Sequence, residues 1–162
     1  MQLCYLMKKI LLLSDSHSHI DDTILKYVNQ ADEVWHAGDV GDLIVTDSIK
    51  SLKPLRAVFG NIDDDKARLE FPLHNRFMCE DVAVWITHIG GYPPKYNSRV
   101  KPLMLEHKPQ LFISGHSHIL KVIYDNANAA TAYDKIIKTL EHTDNINKEC
   151  LQRLKTRQQS FV

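Results

Sequence analysis

Aspartate, asparagine and histidine recur in this chain at the ends of short apolar runs, where they could bind metal. Leu11-Leu12-Leu13 leads into Ser14-Asp15-Ser16-His17, and Val34-Trp35-His36-Ala37 leads into Gly38-Asp39. Further on, Val58-Phe59 leads into Gly60-Asn61, Trp85-Ile86 into Thr87-His88, and Phe112-Ile113 into Ser114-Gly115-His116-Ser117-His118. The donors are therefore Asp15, His17, Asp39, Asn61, His88, His116 and His118. Carboxylate, amide and imidazole in this mixture suit borderline divalent ions such as manganese, iron, zinc, cobalt or nickel. Seven side chains exceed what one catalytic ion with an open position can use, but they suit two ions that share a carboxylate. Asp15 and His17, like His116 and His118, stand two apart, which on an extended chain puts both members of each pair on one side.

The elements that must carry these residues alternate in type. The pattern predicts a strand over residues 9–13, a helix over 21–29 started by Asp21-Asp22, and a strand over 33–36. A helix over 43–52 follows, ended by Pro54, and then a strand over 55–59. Strand–helix–strand–helix–strand is the signature of a parallel sheet covered by helices. Ligands gather at the carboxyl ends of such strands, so motifs far apart in sequence can meet there. From residue 73 the rhythm changes to a hairpin over 74–79 and 82–87, a polar loop over 90–97, a helix over 98–107, and strands over 110–114 and 119–124. We expect one domain over residues 1–125. Residues 126–162 read as a polar helical tail, with Ile136, Ile137, Leu140, Ile146, Cys150, Leu151 and Leu154 at helical spacing.

Composition narrows the function classes. The chain has 162 residues, 44% hydrophobic and 25% charged, enough for one well-packed core. Lys+Arg and Asp+Glu both total 20, and that balance gives no reason to expect a nucleic-acid partner. No apolar run reaches the length of a membrane span, so no membrane partner is expected. The N-terminus lacks the long apolar stretch and cleavage site of a signal peptide. Cys4, Cys79 and Cys150 are odd in number and without metal-type spacing, as expected of reduced thiols in a cytoplasmic protein.

The ordered set Asp15-x-His17, Gly38-Asp39-x-x-Asp42, Gly60-Asn61-x-Asp63, Thr87-His88 and Gly115-His116-Ser117-His118 resembles the calcineurin-like metallophosphoesterases. In particular it is similar to the small YfcE-type phosphodiesterases of bacteria and archaea, whose fold is shared with the retromer subunit Vps29. The resemblance covers about residues 7–125. It implies an α/β fold, a two-sheet β-sandwich flanked by helices. It implies two divalent ions, manganese first and zinc, iron, nickel or cobalt as the other fits. Asp15, His17 and His118 would bind one ion, Asn61, His88 and His116 the other, and Asp39 would bridge them. The implied reaction is hydrolysis of a small phosphoester, preferably a diester, by a bridging hydroxide, with Asp39, Asn61 and His88 as the catalytic set. The alternative it implies is a Vps29-like binding protein. A homo-oligomer is compatible with either.

Taken singly, several of these residues have plainer readings. A strand-end Asp such as Asp39 is ordinarily a turn former, and only the set makes it a ligand. Asp42 reads as a helix cap, Asp63-Asp64-Asp65 as a solvated turn, His36 as structural and His19 as an exposed loop residue. Tyr92, Pro93 and Pro94 are candidates for the substrate entrance. Two departures from the family pattern stand out. Many relatives carry a histidine after Gly-Asn that protonates the leaving group, and here that position is Ile62. The strands normally found beyond the Gly-His-x-His segment are replaced by the helical pattern of the tail.

Overall fold

The alternation of apolar residues along the strands decides how the molecule is layered. A computed structural model describes residues 8–118. In its first half, β1 (Ile10–Leu13), β2 (Glu33–His36) and β3 (Leu55–Ala57) form a parallel sheet in the order β1-β2-β3. The helices α1 (Asp22–Gln30) and α2 (Ile44–Lys50) connect them. A short helix, α3 (Asp65–Glu70), leads to the second sheet. There β4 (His74–Cys79) pairs antiparallel with β5 (Val82–Thr87), and β5 pairs parallel with β8 (Leu111–Ser114). Between them lie the small hairpin of β6 (Gly91–Tyr92) and β7 (Lys95–Tyr96) and the helix α4 (Val100–His107).

Each sheet is covered on both faces. Trp35, Ala37 and Val58 from the first sheet meet Val84, Ile86 and Ile113 from the second, with Ile10, Phe77 and Leu111 packed around them. On the outer face of the first sheet, Val34, Leu11 and Leu13 pack with Val28, Val40, Val45 and Ile49. On the outer face of the second, Trp85 packs with Val100 and Met104 of α4. The layers run helix, sheet, sheet, helix, the flanked two-sheet architecture expected. β2 is buried along its whole length because both its faces are covered. Full burial of an aliphatic side chain such as Val58 or Ile86 stabilises the fold by about 1.5–3 kcal/mol.

The structure corrects several boundaries. β3 ends at Ala57, not at residue 59, and α2 and α4 are each shorter than their apolar pattern suggested. The polar loop over 90–97 contains the β6–β7 hairpin. The expected solvated turn at Asp63-Asp64-Asp65 is instead the start of α3, where Asp64 accepts from Ala67 N and caps the helix. The expected strand over 119–124 and the tail over 126–162 lie outside the described residues.

At the end of the first sheet away from the strand-end donors, Glu33 is buried beneath Lys8 and Arg56. Its carboxylate also accepts from Trp35 Nε1 at 3.1 Å. Burial alone would push this carboxyl up, but the hydrogen bonds from Lys8, Trp35 and Arg56 outweigh it and hold it below its ordinary value.

Candidate metal centre

Strand register brings the donors to one level. Leu13 sits beside His36, His36 beside Ala57, and Thr87 beside Ser114. The loops that follow β1, β2, β3, β5 and β8 therefore all leave the sandwich on the same side. The antiparallel strand β4 supplies none of the donors. Backbone pairing continues past the strand ends, with Asp15 N on Gly38 O at 2.9 Å and His17 N on Asp39 O at 3.1 Å.

Within this cluster the side chains fall into two groups. Ligand atoms of Asp15, His17 and His118 lie within 4.8 Å of one another, and so do those of Asp39, His88 and His116. Asn61 joins the second group through Oδ1, which is 3.1 Å from His88 Nε2. Asp39 Oδ2 stands between the groups, 3.2 Å from His88 Nε2 and 4.0 Å from His17 Nε2. All seven donors named from the sequence are thus brought together. The spacing argument for the two pairs needs correction, however. His116 and His118 serve different groups, and their backbone is left-handed rather than extended. Asp15, His17, Asp39, His116 and His118 all have φ between 48 and 70°. An unbranched polar residue held there costs about 1–3 kcal/mol, and such residues concentrate at functional sites.

Close packing of glycines makes room for the cluster. Gly38 has φ +89°, and a Cβ there would lie 2.8 Å from the His88 side chain. Gly60 lies so close to Asp39 that any side chain would strike its backbone and carboxylate. Asp39 is 2% exposed and accepts Ile62 N on Oδ1 at 3.1 Å, leaving Oδ2 for the site. Asp15 accepts from Ser14 Oγ at 2.5 Å and from His116 N at 3.1 Å.

The donor chemistry fits a cation. His88 Nδ1 is 2.7 Å from Ala37 O, so that nitrogen carries a proton and donates it. Its Nε2 then faces Asn61 Oδ1, Asp39 Oδ2 and, at 4.0 Å, Asp15 Oδ1. Acceptors converging in this way, with the ring orientation fixed by a carbonyl behind it, are the arrangement seen around bound metal ions.

The remaining singled-out residues are placed as follows. His36 is fully buried between Ser16 Oγ at 2.9 Å and Gly38 N at 3.2 Å, and burial pushes its imidazole down to about 4. His19 lies on the surface, 3.5 Å from Asp21, beside a cleft of about 210 Å³ that touches Asp15. Asp42 accepts from Ile44 N at the start of α2. Tyr92 is exposed on β6. Asp63, read as part of a solvated turn, is 3% exposed and accepts two backbone N–H groups. It is also the last residue of the Gly60-Asn61-x-Asp63 motif, which singles it out from its two aspartate neighbours. A cleft of about 440 Å³ is lined by Gly41, Asp42, Leu43, Ile62, Asp64 and Lys66.

Comparisons with known proteins identify the family and the fold. Residues 7–133 match the profile of the calcineurin-like phosphoesterase superfamily domain. Over 112 residues the chain is 28% identical to a probable metallophosphoesterase of Methanothermobacter thermautotrophicus, covering 66% of this chain and 64% of that one. Its fold is similar to that of an archaeal phosphodiesterase, with TM-score 0.60 and 20% identity over 72% of this chain and 78% of the other. It is also similar to Vps29 of Entamoeba histolytica in complex with zinc, with TM-score 0.59 and 16% identity over 74% and 69%. The chain spans 64% and 57% of the length of two curated relatives it matches.

Proposed function

The chain belongs to the calcineurin-like phosphoesterase superfamily, and on that premise we propose that it hydrolyses a small phosphoester, a diester in preference to a monoester. Asp15, His17 and His118 would hold one divalent ion, Asn61, His88 and His116 a second, and Asp39 would be shared. What supports this reading above all is the place of Asp39, whose Oδ2 lies between the two donor groups. Ions bound there would supply Lewis acidity toward a phosphoryl oxygen and lower the pKa of a water.

The chain's own residues do the rest. Asp15 and Asp39 are the only anions in the donor set, so two divalent ions would leave the site positive and attractive to a phosphoester anion. The carbonyl of Ala37 orients His88 so that Nε2 stays directed at the reacting region. Ile62 lines the neighbouring cleft and has no proton to give. The leaving group must then depart without acid help from that position, which favours substrates whose leaving groups are already good. On the same reading the protein works in the cytoplasm, and manganese is the first ion to try.

The test is a screen of the purified full chain, supplied with Mn²⁺, against phosphodiesters and monoesters. Asp39→Ala should lower turnover by about 10²–10³-fold or more, the scale for losing one preorganised electrostatic contact. Absence of any metal-dependent cleavage would overturn the catalytic reading. The second reading is a binding module, favoured by the likeness of fold to Vps29. Metal content and turnover together separate the two.

A further inference from the structure

Two side chains outside the donor set join the loops that carry Asp39 and Asn61. Asp63 directs one oxygen to Gly41 N at 2.8 Å and the other to Gly60 N at 2.6 Å. Gly41 lies two residues past Asp39, and Gly60 immediately precedes Asn61. One buried carboxylate thus ties the loop after β2 to the loop after β3.

Arg68, on α3, reaches back to the same turn. Its Nε donates to Asp63 O at 2.9 Å, and its Nη2 donates to Gly60 O at 3.3 Å and Asn61 O at 3.4 Å. The guanidinium also lies over the Phe59 ring, 4.7 Å from the centroid. Because β3 ends at Ala57 and the backbone bond of Phe59 N to Pro72 O at 3.2 Å comes before the turn, no strand pairing holds residues 60–62 in place. A planar fork presents its donors in a fixed geometry and can hold three carbonyls of one turn at once, whereas a lysine's ammonium sits on a flexible stem without that preset spread. Asn61 itself is exposed, so little side-chain packing fixes it.

We infer that Asp63 and Arg68 are positioning residues: Arg68 fixes the turn that presents Asn61 to the second donor group, and Asp63 fixes that turn to the loop of the shared Asp39. Neither touches a reacting atom. The inference rests on the reading of Asn61 and Asp39 as ligands, and it assigns the affinity of the second ion to contacts made behind them.

Calorimetric titration of the metal-free full chain with Mn²⁺ tests it, with the wild type measured first. A wild type that does not bind two ions would overturn the parent reading rather than this one. With two ions bound, Arg68→Gln should weaken one of them by about 10–100-fold, the range for losing an outer contact to a ligand, and leave the other nearly unchanged. Asp63→Asn, which loses one of the two N–H contacts, should weaken both because Asp39 is shared. In metal-free Arg68→Gln, exchange of the Ile62 amide, whose N–H rests on Asp39 Oδ1, should be faster while amides of β2 stay protected. Equal weakening of both ions by Arg68→Gln, or none, would overturn the inference. If Arg68→Gln does not fold, Arg68→Lys is titrated instead, with the same selective loss expected and the same outcomes against it.

Discussion

Ile62 and His36 are the side chains at this site whose chemistry makes the sharpest demands. Ile62, next in sequence to Asn61, has its backbone N–H on Asp39 and its side chain half-exposed in the larger cleft. A proton donor placed there should help poor leaving groups selectively. Ile62→His is expected to raise turnover of an alkyl phosphodiester by up to about 10²-fold and to change that of a nitrophenyl diester little. Equal rates for the alkyl ester in both proteins would count against the proposed role of this position. His36 works through neutrality. Gly38 N donates to its Nδ1, so its proton sits on Nε2 and faces Ser16 Oγ, which itself donates to Val40 O at 3.1 Å. The unfolded chain takes up a proton at this residue near pH 6.5, the folded chain only near 4. Stability from this group is therefore fully present above 6.5 and is lost as pH falls through about 4. In the presence of chelator, urea unfolding should show a loss of up to about 3 kcal/mol across that window that His36→Gln lacks.

Strands and helices differ in how plainly the sequence announces them. β2, β4 and β5 match the expected bounds because their apolar pattern and flanking turns agree. β3 looked longer in sequence since Val58 and Phe59 are apolar, yet the paired residues end at Ala57, with Val58 N making one further bond to His36 O at 3.1 Å and its side chain buried between the sheets. α3 was missed because three successive aspartates look solvated. Only the fold reveals that Asp64 caps the helix and Asp63 turns inward to two backbone donors. Arg68 left no mark in the sequence, as its partners are carbonyl groups, which every residue has. The seven donors were legible because they sit at strand ends, whereas the left-handed backbone of Asp15, His17, Asp39, His116 and His118 was not, since Asp and His carry no periodic sign of it.

The described part of the molecule joins two sheets whose ends supply donors to one cluster, and ion binding there would be coupled to folding. An ion that binds only the folded chain stabilises it by about 4 kcal/mol when free metal is a thousandfold above its dissociation constant. Adding chelator to the metal-loaded protein should then lower the thermal midpoint by on the order of 10 °C. An unchanged midpoint would count against cation binding at the cluster. On the proposed reading, the balanced charge, 20 basic against 20 acidic side chains, would leave attraction for a phosphoester to the ions rather than to the surface at large.

The hydrogen bond from His88 to the carbonyl of Ala37 carries a mechanical consequence. It passes from one sheet to the other, is buried, and is joined by the contact of His116 N with Asp15. At the opposite end, the bond from Lys8 N to Glu80 is exposed to water, where such links open easily. The sandwich is thus riveted at one rim and only latched at the other. When it breathes, it should gape from the latched side, so the rim that holds the donors is the last to part.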